Sequence, residues 1–368
     1  MFRWFEPAWF AGYGFSSHGR RDLVLDLVNG ASRHRSDPKT AAFSMTEKDD
    51  WAFPRELQPL AEEVEFDLSV ALNAVVALRA DVPEDAFTAS ILGTERTGNG
   101  VVIRDDGLIL TIGYLITEAE TIWLTANDGI VVQGYPLAYD FTSGFGLVQP
   151  LGRLGVKPLV RGSVASVETD DDVIVIGHGG HAHALKAQII DKREFAGYWE
   201  YVLDEALFTA PAHPEWSGAA LVGDDGRLIG IGSLLVQEQV DEDIVHGNMF
   251  VPIDLLAPIV DDLTRQGRRS GPVRPWLGLY TAEVKERLVV SALASGGPAE
   301  RAGVRPGDVV IEVGGQRVSE LAPFFRAMWC LGPAGTEIPL VLIRDGARVD
   351  VRVHSADRGD FLKKPSLQ

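Results

Sequence analysis

The sequence has little cysteine and little positive charge, and each shortage excludes a class of protein. Cys330 is the single cysteine among 368 residues, so no intrachain disulfide can form and the fold does not depend on an oxidising compartment. The chain carries 34 Lys and Arg against 52 Asp and Glu, a formal net charge of −18. Because like charges repel, neither nucleic acid nor an anionic membrane surface is an expected partner.

Long apolar runs are also missing. Arg3, Glu6 and Pro7 interrupt the first segment, and no later one approaches the roughly 18 apolar residues of a membrane span. We therefore expect no export signal, no membrane span and a cytoplasmic location; a periplasmic location would require a different start of the chain. Residues 1–44 read poorly as a domain, which makes Met45 a candidate native start.

What the sequence does contain is turns between short β-branched runs. Its 39 glycines and 20 prolines are spread along the chain, and such runs extend from Glu63 to about Ile259, a pattern typical of a barrel or sandwich. Asp106-Gly107, Asp128-Gly129 and Asp225-Gly226 each separate two apolar runs, which is the strongest short signal for a β-hairpin. The fold class is therefore mainly β.

A second, smaller domain follows a basic linker that contains proline. Before the linker, Leu255, Ile259 and Leu263 have helical spacing and Gly267 marks a helix end. Beyond it, strands resume around a helix predicted to be capped by Ser319. The predicted divisions are an N-terminal extension, partly disordered or used in oligomerisation, a first domain, the linker, the second domain and a loose tail: residues 1–62, 63–264, 265–274, 275–354 and 355–368.

Several motifs together resemble a known family. "TGNGVVIRDDGLILT", "DVIVIG", "SGAALVGDDGRLIGI" and then "WLGL" and "SGGPAERAGVRPGDVVIEVGGQRV" are similar, in order, to the HtrA/Deg serine proteases followed by a PDZ domain. The resemblance covers roughly residues 63–354. It implies a trypsin-like double β-barrel, assembly as a homo-oligomer, usually a trimer, and a PDZ domain that binds the C-termini of peptides or proteins.

The same resemblance places the catalytic triad on unsuitable residues. The position of the catalytic histidine holds Tyr114, that of the aspartate holds Gly144, and only Ser217 keeps the residue type of the nucleophile. A neutral tyrosine, with a pKa of about 10, keeps its own proton near neutrality and cannot activate a serine. Glu215 also replaces a glycine in the loop that would form the oxyanion hole, next to Trp216. We expect a degenerate active site.

Simpler interpretations of these residues remain open. Ser217 can be an ordinary turn serine, Tyr114 a packed side chain that fills the space of the missing imidazole, and Trp216 a plug in the cleft. A base from elsewhere would have to come from His213 or from a cluster of three histidines, and loop histidines are usually solvated. The cluster is His178, His181 and His183. In an extended segment the last two would share one face, as a chelating pair does, but no cysteine or acidic ligand is spaced beside them, so neither a metal nor a cofactor is expected.

The peptide-binding residues follow from the "WLGL" segment. Backbone N–H groups of Leu277, Gly278 and Leu279 are expected to hold a peptide carboxylate, with the edge strand starting at Leu279. The helix near Glu320 would form the other wall of the groove. Its candidate pocket residues are Phe324, Phe325 and Met328, and some of these are expected to belong to the core instead.

The sequence thus favours a catalytically degenerate HtrA-like scaffold or adaptor that captures peptide C-termini. Two alternatives stay open: a serine endopeptidase with a non-standard base acting on Ser217, and a structural oligomer subunit whose PDZ groove is closed by its own neighbour. Trp51, Phe53 and Phe66 are the predicted aromatic anchors of the oligomer.

Overall fold

The computed structural model describes residues 51–240 and 243–364, without the side chains of 238–240 and 243–245. Strands dominate this part of the chain and form two closed barrels and one open six-stranded sheet, which confirms the mainly β prediction. No helix in these two ranges is long and apolar enough to cross a membrane.

The first barrel has the strand order β1-β2-β3-β6-β5-β4. Its strands are β1 (Val75–Asp81), β2 (Glu95–Val102), β3 (Ile109–Ile112), β4 (Thr121–Thr125), β5 (Val131–Tyr139) and β6 (Phe145–Pro150). Its short helices are α1 (Leu68–Asn73), α2 (Ala89–Leu92) and α3 (Gly113–Ile116), after the 3-10 turns Arg55–Leu57 and Ala61–Glu63. Fully buried Leu78, Leu110 and Phe145 belong to its core.

The second barrel has the order β10-β11-β12-β9-β8-β7 and a separate apolar interior containing Val175, Leu207 and Phe250. Its strands are β7 (Asp172–Ile176), β8 (Ala184–Gly197), β9 (Tyr201–Ala210), β10 (Ala220–Val222), β11 (Leu228–Val240) and β12 (Asp243–Pro252). A 3-10 turn, Gly180–His183, precedes β8, and a second one, Ile253–Leu255, leads to helix α4 (Val260–Gln266).

The C-terminal domain is a sheet of order β13-β14-β15-β17-β18 with β16 beside β15. The strands are β13 (Leu279–Glu283), β14 (Leu288–Leu293), β15 (Val309–Val313), β16 (Gln316–Arg317), β17 (Glu337–Arg344) and β18 (Ala347–His354). The helices are α5 (Pro298–Arg301) and α6 (Leu321–Cys330), and a 3-10 turn, Arg358–Phe361, comes last. Strand β13 lies at the edge of the sheet, as predicted for the strand starting at Leu279.

The three Asp-Gly pairs form the predicted hairpin turns. They join β2 to β3, β4 to β5 and β10 to β11, all antiparallel pairs. Gly107, Gly129 and Gly226 have φ values of +84°, +88° and +74°, which a residue without Cβ adopts at least cost. The prediction from turn chemistry is confirmed at all three positions.

The helix predictions were right in place but wrong in detail. Helix α4 starts only at Val260, after the 3-10 turn that contains Leu255, and Gly267 ends it with a φ of +72°. The N-cap of α6 is Glu320 rather than Ser319, and no side chain of its own segment caps it. Instead the Leu321 N–H donates a 2.6 Å hydrogen bond to Glu283 Oε1 of β13, because a neighbouring carboxylate also satisfies an orphan N–H.

The tail predicted to be loose is ordered through Lys364. The N–H of Ser355 donates to the Thr336 carbonyl at 3.0 Å, and the Phe361 ring lies 4.9 Å from that of Trp276. The Lys363 N–H donates to Glu118 Oε1 in the first barrel at 2.9 Å. Tertiary contacts that composition cannot show therefore fix a polar segment.

The predicted aromatic anchors of the oligomer pack on their own chain. The Trp51 ring lies 4.2 Å from the His183 ring, and the Phe53 ring 5.0 Å from the His213 ring. Phe66 contacts the backbone turn at Gly226 so closely that a Cβ there would lie 2.3 Å from its ring. The oligomer itself stays a prediction, without these residues as its basis, and Met45 and residues 1–50 lie outside the described residues.

Candidate active site and peptide groove

Ser217 lies in the loop between β9 and β10, where the two barrels meet. Asn99 of β2 holds this loop: its N–H donates to the Ser217 carbonyl at 2.7 Å and its Nδ2 donates to the Glu215 carbonyl at 2.8 Å. A Cβ on Gly218, whose φ is +74°, would lie 2.0 Å from the Asn99 carbonyl oxygen. Glycine at position 218 is therefore required by the close approach of this loop to strand β2, whatever the chemistry of Ser217.

Tyr114 on helix α3 contacts the Ser217 hydroxyl directly. Its Oη lies 2.7 Å from Ser217 Oγ and 2.9 Å from the carbonyl oxygen of Ser233. A carbonyl oxygen only accepts, so Tyr114 donates its one proton to Ser233, and the Ser217 hydroxyl then donates to Tyr114. The serine proton thus points at a phenol oxygen.

That phenol is a poor base. Burial raises the pKa of Tyr114 well above its usual range, against the smaller lowering effect of the hydrogen bonds to Ser217 and Trp216. A group that stays protonated cannot accept the serine proton in an attack on a carbonyl. The pair is a hydrogen-bonded contact between two neutral hydroxyls.

Tyrosine side chains also occupy the space beside Gly144. A Cβ on Gly144 would lie 3.0 Å from Tyr201 Oη, and Gly144 has a φ of +84°. The Tyr201 hydroxyl donates a 2.6 Å hydrogen bond to the Ser143 carbonyl. On the other side, the Tyr139 ring lies 1.9 Å from where a Cβ of Gly113 would be. A side chain at position 144 would therefore require both a strained backbone and a shift of Tyr201.

In the loop before Ser217, the backbone N–H of Glu215 forms a hydrogen bond within the loop itself. The Glu215 N–H donates to Nδ1 of His213 at 3.0 Å, and Nε2 of His213 donates to the His183 carbonyl at 2.9 Å. An oxyanion hole would need such N–H groups to point at a bound substrate. The hydrogen bond to His213 removes the Glu215 donor from that role.

His213 is a buried structural group, unlike the solvated loop histidine that the sequence suggested. Its side chain is fully buried, and burial lowers its pKa to about 4, so the imidazole is neutral near pH 7. Both ring nitrogens are hydrogen-bonded, to Glu215 and to the His183 carbonyl. It is not available as a replacement base for Ser217.

The cluster of His178, His181 and His183 is not extended. Gly180–His183 is a 3-10 turn, so the condition under which His181 and His183 would share one face is not met. His181 Nε2 lies 2.6 Å from the Pro59 carbonyl, and the His178 N–H donates to Asn99 Oδ1 at 2.8 Å. Within the described ranges, no group of three or more His, Cys, Asp or Glu is placed to hold a metal ion.

The predicted carboxylate-binding loop does surround a carboxylate, that of Glu200 in the turn between β8 and β9. The N–H groups of Leu277, Gly278 and Leu279 donate to it at 3.1, 2.7 and 3.0 Å. The predicted pocket residues of α6 are fully buried in the same apolar cluster as Leu277 and Leu279; they are Phe324, Phe325 and Met328. Their contact with a peptide stays a prediction.

Sequence reasoning missed Glu200 and Tyr201. They stand in "AGYWEYVLDEALF", which is an ordinary strand, turn and strand, with nothing to mark one glutamate as the partner of a loop about 80 residues later. The one indication that this turn is buried against another part of the chain was its three aromatic residues, Tyr198, Trp199 and Tyr201. Exposed turns seldom carry so many.

Two family models match the chain. The trypsin-like peptidase domain matches residues 98–231 and the PDZ domain matches residues 289–344. These ranges lie in the double barrel and in the C-terminal sheet, so the expected order of the two domains is confirmed.

Curated relatives of this chain are named as serine proteases of the DegP and HtrA type. "Probable periplasmic serine endoprotease DegP-like" of Halomonas elongata is 25% identical over 279 residues, which are 72% of this chain and 57% of the relative. "Serine protease Do-like HtrA" of Bacillus subtilis is 21% identical over 337 residues, covering 82% of this chain and 74% of the relative.

The solved structure described as "HtrA-type protease AlgW with decapeptide" aligns with a TM-score of 0.49 and 18% identity, over 82% of this chain and all of that one. The match to the Halomonas relative spans 57% of that protein's length, which is less than two thirds. The chain thus contains a trypsin-like peptidase domain followed by a C-terminal PDZ domain, and it is similar to HtrA-type serine proteases.

Proposed function

We propose that this chain is a catalytically inactive HtrA-like protein that works as a scaffold or adaptor and binds peptide C-termini through its PDZ domain. The observation that carries the proposal is the 2.7 Å contact between Ser217 Oγ and Tyr114 Oη. Where a serine protease needs an imidazole to take the serine proton, this contact offers a buried phenol of raised pKa.

Two further observations support the loss of catalysis. Glycine at position 144 has no carboxylate that could orient a base, and Tyr201 Oη lies 3.0 Å from where a Cβ would be. The Glu215 N–H is bonded to His213 and is missing from the oxyanion site. Serine proteases of this type use a base, an orienting acid and oxyanion donors, and this site lacks the base, the acid and one of the donors.

The binding part of the proposal rests on the PDZ domain. Three successive N–H groups, those of Leu277, Gly278 and Leu279, converge on one carboxylate. A peptide that ends in a free carboxylate and an apolar side chain satisfies such a site and extends the edge strand β13. An intact recognition loop beside a disabled catalytic loop favours a binding role.

A fluorophosphonate probe tests the catalytic half of the proposal, because it labels a serine only when its hydroxyl is activated. Wild type and Ser217→Ala are treated with the probe beside active trypsin, and casein cleavage is followed in parallel. We expect no label on either form of this protein and no cleavage that depends on Ser217. Labelling of wild type, lost in Ser217→Ala, would establish a serine hydrolase and contradict the proposal.

A further inference from the structure

The hairpin of β8 and β9 reaches beyond its barrel. Strand β8 pairs with β7 only through residues 184–188, and β9 pairs with β12 only through 207–209. From there to the turn, the two strands pair with each other alone, as far as Gly197 and Tyr201. A two-stranded ribbon therefore projects from the second barrel toward the PDZ domain.

The turn of this ribbon lies in the place of a peptide C-terminus. Oε1 of Glu200 accepts the N–H groups of Leu277, Gly278 and Leu279, and Oε2 also accepts that of Leu277 at 3.1 Å. Glu200 is only 8% exposed and has a φ of +63°. A non-glycine residue keeps that strained conformation only where surrounding contacts hold it.

The ribbon also supplies the two other features of a bound peptide. The Thr281 N–H of edge strand β13 donates to the Tyr198 carbonyl at 3.2 Å, as it would to an added strand. Val202 is buried in the apolar cluster of the PDZ domain, and Ala196 packs against the same cluster. A carboxylate, a backbone acceptor and an apolar side chain thus all come from one segment of the same chain.

Helix α6 holds the ribbon from the opposite wall of the groove. Arg326 forms ion pairs with Glu194 of β8 and Asp204 of β9. The Asp204 side chain is 93% exposed and that of Arg326 is 42% exposed, and ion pairs so open to water contribute little. The buried Glu200 contacts therefore decide whether the ribbon stays in place.

We propose that residues 198–202 are an intramolecular ligand of the PDZ groove, which keeps it closed to peptides that end in a free carboxylate and an apolar residue. The inference deepens the proposed peptide-binding function and rests on it for the identity of the competing ligand. The observation that Glu200 occupies the groove does not depend on the proposed peptide-binding function. A peptide can bind only when the ribbon has left the groove. The apparent affinity of the intact chain is therefore the affinity of the open groove multiplied by the fraction of molecules in which the groove is open.

The test compares Glu200→Ala with Glu205→Ala in the full chain. Glu205 lies on β9, five residues after Glu200, is exposed, and pairs with Lys192 rather than with the PDZ domain, so it is a matched control. The probe is a fluorescein-labelled pool of decapeptides with a free C-terminal valine and randomised other positions, beside the same pool with amidated ends. Anisotropy measures binding, and hydrogen exchange measures protection of the Leu277, Gly278 and Leu279 amides.

We expect Glu200→Ala to bind the free-carboxylate pool at least tenfold more tightly than wild type, with Glu205→Ala unchanged and the amidated pool bound weakly by all. The three amides should exchange faster in Glu200→Ala without peptide. Equal protection in wild type and Glu200→Ala would overturn the proposal, and so would tight binding of the pool to wild type that Glu200→Ala does not improve.

The two hypotheses remain separable in this experiment. If the amides lose protection in Glu200→Ala and yet no pool binds any variant, the intramolecular ligand is supported and the peptide-capture function is contradicted. A variant that unfolds would lose protection throughout both barrels, so exchange of the Leu110 and Phe250 amides, at fully buried core residues of the two barrels, distinguishes opening of the groove from loss of the fold.

Discussion

The hydroxyl of Tyr201 donates a 2.6 Å hydrogen bond to the carbonyl of Ser143. Ser143 precedes Gly144, at the edge of the candidate active site, and Tyr201 follows Glu200, whose carboxylate lies in the PDZ loop. Two adjacent residues, Glu200 and Tyr201, therefore contact the PDZ loop and the segment beside the candidate active site, respectively.

Gly144→Asp should destabilise the protein more than a glycine substitution with the same backbone strain. Both Gly144 and Gly129 have positive φ, +84° and +88°, but a Cβ at Gly144 would lie 3.0 Å from Tyr201 Oη, whereas nothing lies within 4 Å of one at Gly129. Backbone strain of this kind costs about 1–3 kcal/mol. Urea unfolding of Gly144→Asp and Gly129→Asp measures the difference, and equal losses would show that Tyr201 moves aside freely.

Restoring two triad residues should not restore proteolysis. In Tyr114→His with Gly144→Asp, the Glu215 N–H still donates to His213, and the Cβ of the new aspartate would lie 3.0 Å from Tyr201 Oη. Loss of one oxyanion donor alone costs about 10²–10³ in rate. Casein cleavage is measured with and without Ser217→Ala in the same background. Strong cleavage that requires Ser217 would mean that the loop before Ser217 rearranges readily around substrate.

Stability should fall on acidification because His213 is buried in its neutral form. Its pKa is lowered from 6.5 to about 4. Its contribution to the free energy of unfolding is therefore complete above pH 6.5 and is lost as the pH falls through 4. The whole difference corresponds to about 3 kcal/mol at 1.36 kcal/mol per pKa unit.

Urea unfolding between about pH 7 and pH 4 checks this linkage. His213→Gln should be less stable at neutral pH and lose this part of the pH dependence. His354→Gln, at an exposed position of β18, should leave the pH profile unchanged. A wild-type profile that is flat over this interval would contradict the prediction.

Closure of the PDZ groove should weaken as the pH rises. Burial raises the pKa of Glu200 from 4.5 to about 7, against the lowering effects of the three N–H donors and of Arg358. Tyr280, which also faces this carboxyl, has a raised pKa of its own and stays neutral. Because the docked side chain prefers its proton, docking is fully favoured below pH 4.5 and loses this contribution as the pH rises through 7.

A carbon-13 titration of the Glu200 carboxyl tests this directly and should show a midpoint near pH 7. Protection of the Gly278 amide, corrected for the intrinsic pH dependence of exchange, should fall over the same interval. Glu200→Gln should show neither change. A midpoint at or below 4.5 would mean that the N–H donors outweigh burial and that the groove does not respond to pH in this range.

Local sequence chemistry was sufficient for much of the fold. Asp-Gly pairs at positive φ require hairpins whatever surrounds them, and Gly267 ends a helix for the same reason. The resemblance alone placed Tyr114 at the position of a catalytic histidine, and a neutral phenol, unlike an imidazole, does not take up a proton near neutral pH. The carboxylate-binding loop was also predictable, because the "WLGL" segment at residues 276–279 uses backbone donors of its own.

Other features depend on segments far apart in the chain. Three contacts are consequences of packing between separate elements. The N–H of Glu215 donates to buried His213, Tyr201 packs beside Gly144, and the Glu200 carboxylate occupies the PDZ loop. Residue type and spacing show which groups can accept or donate, but burial and close approach select the partner. The sequence therefore determined the two domains and the missing base, whereas only the tertiary structure decided that the groove is filled by the chain's own glutamate.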